Sequence, residues 1–187
     1  MGQIKEQLPC RIVLVGFSGC GKSTIGKKIA RKLNYSFLDT DGFFETKYHI
    51  SVFDCFKKYG EETFRRCEYE ILKESLEAKQ AVIATGGGAP CFFNAMELIN
   101  RQAFSIYIKM SNASLLTRLL SAKKERPLTQ GQSKEVLLDY ITNTMLIREP
   151  FYNKAHFIVK GESIDLKNVI AQLVPFQNNE IVTKTGK

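Results

Sequence analysis

One glycine-rich stretch contains residues whose types and spacing suit phosphate chemistry. Residues 16–23 read Gly-Phe-Ser-Gly-Cys-Gly-Lys-Ser, which fits the pattern G-x-x-x-x-G-K-[ST]. Glycines let backbone N–H groups turn inward onto phosphate oxygens, and the following helix adds its positive dipole end. Lys22 is expected to reach the β- and γ-phosphates of a nucleotide, and Ser23 to bind Mg²⁺. The predicted nucleotide-binding residues are Gly19, Cys20, Gly21, Lys22, Ser23 and Thr24.

Two carboxylates follow the short apolar run Ser36–Leu38. Asp39 is suited to a Mg²⁺ site through water, because Mg²⁺ keeps several of its waters when it binds to proteins. Asp41 is suited to hold a hydroxyl of an acceptor molecule and to take its proton. The alternative is that Asp41 only caps the start of a helix.

A triple glycine follows a third apolar run. Gly86, Gly87 and Gly88 come directly after Thr85, at the end of the run. Such a loop lets a small ligand approach the backbone closely, although a tight turn would have the same composition. Many phosphate-loop enzymes carry an aspartate where Thr85 stands, so the protein ligands of the metal beyond Ser23, Asp39 among them, stay open.

Two arginines occupy positions that favour an anionic partner. An apolar stripe at helical spacing is formed by Leu137, Ile141 and Met145, and Arg148 continues it. Arg148 therefore points where the apolar face points, and a guanidinium there calls for an anion. Arg65 lies near the start of a predicted helix on the predicted acceptor side. The alternative for both arginines is an internal salt bridge.

The stretch Ser121–Lys134 is charged and includes Arg126 directly before Pro127. A residue before proline avoids helical backbone angles, so the stretch is predicted to be a loop. We expect it to be a lid that closes over ATP and brings Arg126 to the transferring phosphoryl group. The alternative is an ordinary solvated loop.

Apolar runs alternate with longer segments of helical periodicity along the chain. We predict strands at Arg11–Val15, Ser36–Leu38, Ala81–Ala84, Phe104–Ile108 and Phe157–Val159. We predict helices at Lys22–Leu33, Val52–Tyr59, Glu61–Lys79, Cys91–Asn100, Ser111–Leu120, Ser133–Arg148 and Leu166–Val174. This alternation predicts an α/β fold with a five-stranded parallel sheet covered on both faces. Ligands of such sheets bind beyond the carboxyl ends of the strands, where the loops described above would meet.

Composition narrows the class of protein. The chain has 187 residues, which suits a single domain, and no run of residues is apolar and long enough to span a bilayer. The N-terminus lacks the apolar core of a signal peptide, so we expect a cytoplasmic protein without a membrane partner. Five cysteines show no metal-binding spacing and are expected to be reduced. The net charge of +8 is scattered, which favours anionic small molecules or a solvated basic surface over nucleic acid.

Taken together, these segments resemble the shikimate kinase family, in the nucleoside-monophosphate-kinase branch of phosphate-loop folds. The resemblance runs from about residue 11 to residue 174. It is carried by residues 16–24, Phe37–Asp41, Gly60–Arg65 with Glu68, Ile83–Gly88, Arg126–Leu128, and Arg148 with Tyr152 and Ala155. The G-E-x-x-F-R and A-T-G-G-G segments are more specific than the phosphate loop.

The resemblance implies the reaction and the layout of the chain. ATP and shikimate would give shikimate 3-phosphate and ADP, a step of aromatic amino-acid biosynthesis, in a three-layer P-loop kinase fold. One domain would have its core at 11–174, an acceptor-binding subdomain at about 42–79, a lid at about 121–134 and a loose tail at 178–187. The enzyme is expected to act as a monomer.

The resemblance also implies roles for individual residues. Asp41 would bind the acceptor hydroxyls, Arg65 and Arg148 would hold the carboxylate of shikimate, and Gly86–Gly88 would line its ring. Lys22 and Arg126 would act on ATP, with Mg²⁺ as cofactor. No motif identifies the residues that contact the adenine. Two rival interpretations are another small-molecule kinase, such as a gluconate-type kinase, and a non-catalytic nucleotide-binding module.

Overall fold

A five-stranded, all-parallel sheet forms the centre of the computed structural model, which describes residues 8–121 and 133–174. The strands are β1 (Arg11–Val15), β2 (Ser36–Asp39), β3 (Ala81–Ala84), β4 (Phe104–Lys109) and β5 (Phe157–Lys160). Their order across the sheet is β2-β3-β1-β4-β5. The prediction of an α/β fold with this sheet is confirmed.

The described ranges contain seven α-helices, six between strands and one after β5. They are α1 (Lys22–Leu33), α2 (Thr40–Tyr48), α3 (Val52–Ser75), α4 (Ala95–Gln102), α5 (Asn112–Leu120), α6 (Lys134–Tyr152) and α7 (Leu166–Ala171). Three of them begin at a serine whose side chain accepts a hydrogen bond from the helix backbone, namely Ser51, Ser111 and Ser133. Such caps satisfy N–H groups that have no partner inside the helix, and so define where each helix starts.

The register of the strands brings three carboxyl ends to one edge of the sheet. Ala84, the last residue of β3, pairs with Leu14 of β1 and with Asp39 of β2. The central strands are buried on both faces, and every residue of β3 is at most 1% exposed. Because this apolar ladder is fixed, the loops that leave β1, β2 and β3 start side by side.

The structure differs from the prediction at two helices, one of them not predicted and the other wrong at its start. Helix α2 was not predicted, and its cap is Asp39 rather than Asp41, because the Asp39 side chain accepts from the backbone N–H of Asp41 at 3.2 Å. The helix predicted at Cys91–Asn100 is wrong at its start. A 3₁₀ turn covers Ala89–Cys91, and α4 begins only at Ala95, after two residues with positive φ.

The two helices predicted at 52–59 and 61–79 form one run that ends at Ser75. Gly60 interrupts it with φ 79° and ψ 170°, values outside the helical region, so the predicted break is real although the segment stays continuous. The other predicted helices and strands are confirmed to within a few residues at their ends.

A second, small apolar cluster lies beside the main core. Phe44 of α2 packs with Cys55, Phe64 and Ile71 of α3, apart from the large cluster around the sheet. This cluster joins α2 to α3, within the segment where the acceptor-binding subdomain is predicted.

No helix in the described ranges is both long and apolar enough to cross a membrane. Arg126, most of the predicted lid and the predicted tail lie outside the described residues.

Candidate functional site

The phosphate loop leaves β1 at Val15 and enters α1 at Lys22. Gly16 has φ 138°, and a Cβ added there would lie 2.9 Å from the carbonyl oxygen of Ile108 and 3.1 Å from the Cys20 sulfur. Only glycine fits that combination of conformation and close packing. Cys20 as a whole is buried, at 1% exposure, so its thiol is not accessible from solvent.

Lys22 lies inside the loop that precedes it. Its ammonium group donates to the carbonyl oxygens of Gly16 at 2.7 Å and Phe17 at 2.9 Å, and the side chain is only 7% exposed. A buried cation on a phosphate-loop scaffold is suited to meet anionic oxygens. Ser23 and Thr24 follow in the first turn of α1, in the positions expected for a phosphate loop.

Arg118 of α5 is a cationic neighbour of the loop that sequence reasoning missed. Its Nη1 donates to the carbonyl oxygen of Cys20 at 3.0 Å, and its Nη2 to that of Gly161 at 3.4 Å. The guanidinium therefore ties the phosphate loop to the turn after β5. Nothing in the sequence around Arg118 indicates this contact, which joins segments far apart in the chain.

The two predicted metal-binding residues are in direct contact. Ser23 Oγ donates to Asp39 Oδ2 at 2.6 Å, so a hydroxyl and a carboxylate meet at the edge of the phosphate loop. These hard oxygen donors fit Mg²⁺, which takes one or two protein ligands and completes its shell with water and phosphate. In the described part of the chain, no group of three or more His, Cys, Asp or Glu side chains could hold a metal ion. The hydroxyl of Thr85 donates to the carbonyl oxygen of Leu14.

The triple-glycine loop lies against the predicted acceptor residues. A Cβ added at Gly86 would lie 2.5 Å from Oε1 of Glu68 and 2.7 Å from Oδ1 of Asp41. The backbone N–H of Gly86 also donates to the buried Thr40 hydroxyl at 2.9 Å, which fixes the loop against the start of α2. Two carboxylates from α2 and α3 thus converge on one glycine.

Arg65 occupies the centre of this region. It is 7% exposed, and its guanidinium donates to Glu68 at 2.6 Å and to Glu61 at 3.1 Å. A Cβ added at Gly88 would lie 2.5–2.6 Å from the guanidinium atoms, and the ring of Phe92 is centred 4.5 Å from the guanidinium carbon. The internal salt bridge considered from the sequence is therefore present, and it holds Arg65 against the glycine loop.

Arg148 lies close to the same group of side chains. Burial raises the pKa of Glu68, Cys91 and Tyr152, and the charge of Arg148 lowers each of these pKa values in part. The Tyr152 hydroxyl, four residues along α6, donates to the carbonyl oxygen of Gly87. The structure therefore places the charge of Arg148 near Glu68, and Tyr152 of the same helix contacts the glycine loop.

Glu68 has the most perturbed carboxyl group of the site. Burial raises its pKa to about 7, with a further rise from the negative charge of Asp41, while Arg65 and Arg148 oppose both. Sequence reasoning noted Glu68 only as part of a motif and gave no role to Glu61. Their spacing from Arg65, three and four residues along one helix, is the signal that could have identified both.

A comparison with protein-family models gives a match to shikimate kinase over residues 18–177. The chain belongs to the shikimate kinase family. A relative named shikimate kinase in Azobacteroides pseudotrichonymphae is 42% identical over 166 residues, covering 88% of this chain and 98% of the relative. The enzyme is accordingly an ATP-dependent kinase of this family.

Solved structures of shikimate kinases share the fold described above. The enzyme from Bacteroides thetaiotaomicron superimposes with a TM-score of 0.81 at 37% identity, covering 92% of this chain and 98% of that one. The shikimate kinase of Acinetobacter baumannii, solved in complex with shikimate, gives a TM-score of 0.77 at 29% identity, with coverage of 96% and 97%. The resemblance stated from the sequence motifs is thereby confirmed.

Proposed function

We propose that the enzyme transfers the γ-phosphoryl group of ATP to the 3-hydroxyl of shikimate, using the residues gathered at the glycine loop. One observation carries this proposal: residues 86–88 lie against both the phosphate loop and the predicted acceptor residues. A Cβ added at Gly87 would lie 3.0 Å from the backbone nitrogen of Ser18 in the phosphate loop, whereas Gly86 and Gly88 contact the acceptor residues. A donor phosphate and an acceptor bound on either side of this loop would be neighbours.

At the nucleotide end, the loop backbone and Lys22 bind the phosphates. Lys22 exchanges its two carbonyl partners for phosphate oxygens, where its charge stabilises the transition state in a partly dry site. Arg126, which lies outside the described residues, would close over ATP and contact the transferring group. Ser23 and Asp39 would hold Mg²⁺, which neutralises charge on the β- and γ-phosphate oxygens.

At the acceptor end, Arg65 and Arg148 bind the carboxylate of shikimate, and Gly86–Gly88 line its ring. Asp41 accepts the proton of the 3-hydroxyl as the oxygen forms its bond to phosphorus and the bond to the ADP oxygen breaks. The nearby Glu68 fits a supporting role, because its carboxylate already accepts from Arg65. We further propose that the enzyme works as a cytoplasmic monomer on these two small molecules, without nucleic acid or a membrane.

A coupled assay of ADP release tests the proposal. Shikimate, gluconate and AMP are offered in turn as acceptors, each with ATP and Mg²⁺. We expect turnover with shikimate to exceed that with gluconate or AMP by orders of magnitude, since neither alternative presents a ring carboxylate to two arginines. Comparable turnover with gluconate or AMP would contradict the proposal.

A further inference from the structure

Two glutamates share the guanidinium of Arg65, and they do so unequally. Glu68 accepts from Nη1 at 2.6 Å, and Glu61 accepts from both Nε and Nη2 at 3.1 Å. The side chains of Arg65 and Glu68 are 7% and 6% exposed, whereas that of Glu61 is 57% exposed. One partner is therefore enclosed with Arg65, and the other reaches it from solvent.

The faces of the guanidinium are restricted, so an anion must approach at an edge. A Cβ added at Gly88 would lie within 2.6 Å of Nη1, Cζ and Nη2, and the ring of Phe92 is centred 4.5 Å from Cζ. An arginine binds a carboxylate best through two parallel N–H groups at one edge. The Nε–Nη2 edge of Arg65 offers such a pair, and Glu61 occupies both of its donors.

Glu61 is also the partner that can leave. It is the first residue of α3 after the non-helical Gly60, so its carboxylate lies at a helix start, where a negative charge is favourable after release. Water can solvate it at once because it is exposed. Glu68, by contrast, is buried, and the Asp41 carboxylate lies near it.

We propose that Glu61 is a placeholder for the acceptor carboxylate: it occupies the Nε–Nη2 edge of Arg65 and is displaced when that carboxylate binds. Glu61 is then a positioning residue that keeps the arginine paired and oriented. A ligand with its own carboxylate replaces the displaced pair, whereas a ligand without one leaves Glu61 in place. This inference rests on the proposed function, which supplies the carboxylate.

The test measures shikimate affinity calorimetrically in Glu61→Gln. Glutamine keeps the length of the side chain but competes less for the guanidinium, so the Kd should fall about 2- to 5-fold, the range that corresponds to an exposed ion pair. The KM for shikimate should fall with the Kd, and kcat should change less than KM. The Kd of the carboxamide analogue of shikimate should stay the same.

Glu62→Gln is the matched control, because Glu62 is the next residue and pairs with Arg66 at 2.6 Å, also four residues along the helix. It removes the same charge without touching Arg65, so shikimate affinity should not change. In an Arg65→Ala background, Glu61→Gln should no longer increase affinity.

Each other outcome is decisive. Unchanged or weaker binding in Glu61→Gln would show that Glu61 only supports Arg65, and equal tightening in Glu62→Gln would show a general effect of charge. Either result overturns the placeholder while the proposed function stands, provided that the wild-type enzyme binds shikimate. Failure of the wild type to bind shikimate would overturn both.

Discussion

Replacing Gly88 with alanine would test whether the glycine loop positions Arg65. Gly88 has φ −91° and ψ −22°, which alanine adopts without strain, so the backbone should tolerate the change. The new Cβ would lie 2.5 Å from Nη1 and 2.6 Å from Cζ and Nη2 of Arg65. Since atoms in contact stay at about 3.5 Å or more, the guanidinium must move by about 1 Å.

A displacement of that size cannot preserve the hydrogen bonds of Arg65. The bond to Glu68 is 2.6 Å long. The required shift of about 1 Å equals the contact distance that is missing at Gly88, and it either breaks this bond or moves the guanidinium out of position for the acceptor. A hydrogen bond to a charged group contributes about 1.5–3 kcal/mol. We therefore expect kcat/KM for shikimate to fall about 10- to 150-fold, with the KM for ATP nearly constant.

Gly42→Ala provides the matched control. Gly42 lies inside α2, and a Cβ added there meets nothing within 4 Å. Alanine should stabilise this helix position by about 0.5–1 kcal/mol without changing kcat/KM. The reasoning is refuted if Gly88→Ala retains the kcat/KM of Gly42→Ala, or if it loses affinity for ATP rather than for shikimate.

Four further predictions concern single groups of the site. Lys22→Ala should keep the melting temperature but lose most phosphoryl transfer, and near-normal turnover would contradict the assigned role of the phosphate loop. Asp41→Asn should lower kcat with little effect on ATP binding, whereas Asp39→Asn should shift the Mg²⁺ requirement; titrations of metal and nucleotide in both variants would reveal reversed roles. Arg148→Ala should raise the KM for shikimate about 10-fold or more while its carboxamide analogue is affected less, and equal losses for acid and amide would exclude a carboxylate contact. Glu68 has a folded-state pKa of about 7, above its usual value of 4.5, so its contribution to the unfolding free energy is complete below pH 4.5 and is lost as the pH rises through 7. Glu68→Gln should lack this decline in urea unfolding measured across that pH range, and an identical pH profile would disprove the assignment.

The sheet and the phosphate loop could be predicted because the residue types in these segments directly reflect the burial and the backbone conformation that the fold requires of them. The apolar run Arg11–Val15 forms a central buried strand, and the loop after it needs glycine for reasons of backbone geometry alone. Helix α2 escaped prediction because it contains Gly42 and no regular apolar stripe. Its stability comes from the Asp39 cap and from Phe44, which packs on Phe64 of α3.

The start of α4 could not be predicted for a different reason. Phe93 and Asn94 both adopt positive φ, which an aromatic residue rarely does. The apolar pattern does not show this break, so the predicted helix begins before the true start. In the site, the link between Arg65 and Glu68 follows from helical spacing. The approach of Asp41 to Glu68 across Gly86 depends on how two helices pack, and no local pattern encodes it.

The bracing of Lys22 by its own loop has a consequence for the thermodynamics of nucleotide binding. Its ammonium group is already immobilised between two carbonyl oxygens that belong to the loop itself. Ordering a free lysine side chain would cost up to about 2 kcal/mol of rotamer entropy. In the proposed mechanism that cost is met during folding, so the association with ATP would exchange hydrogen-bond partners of an ordered side chain and lose less conformational freedom.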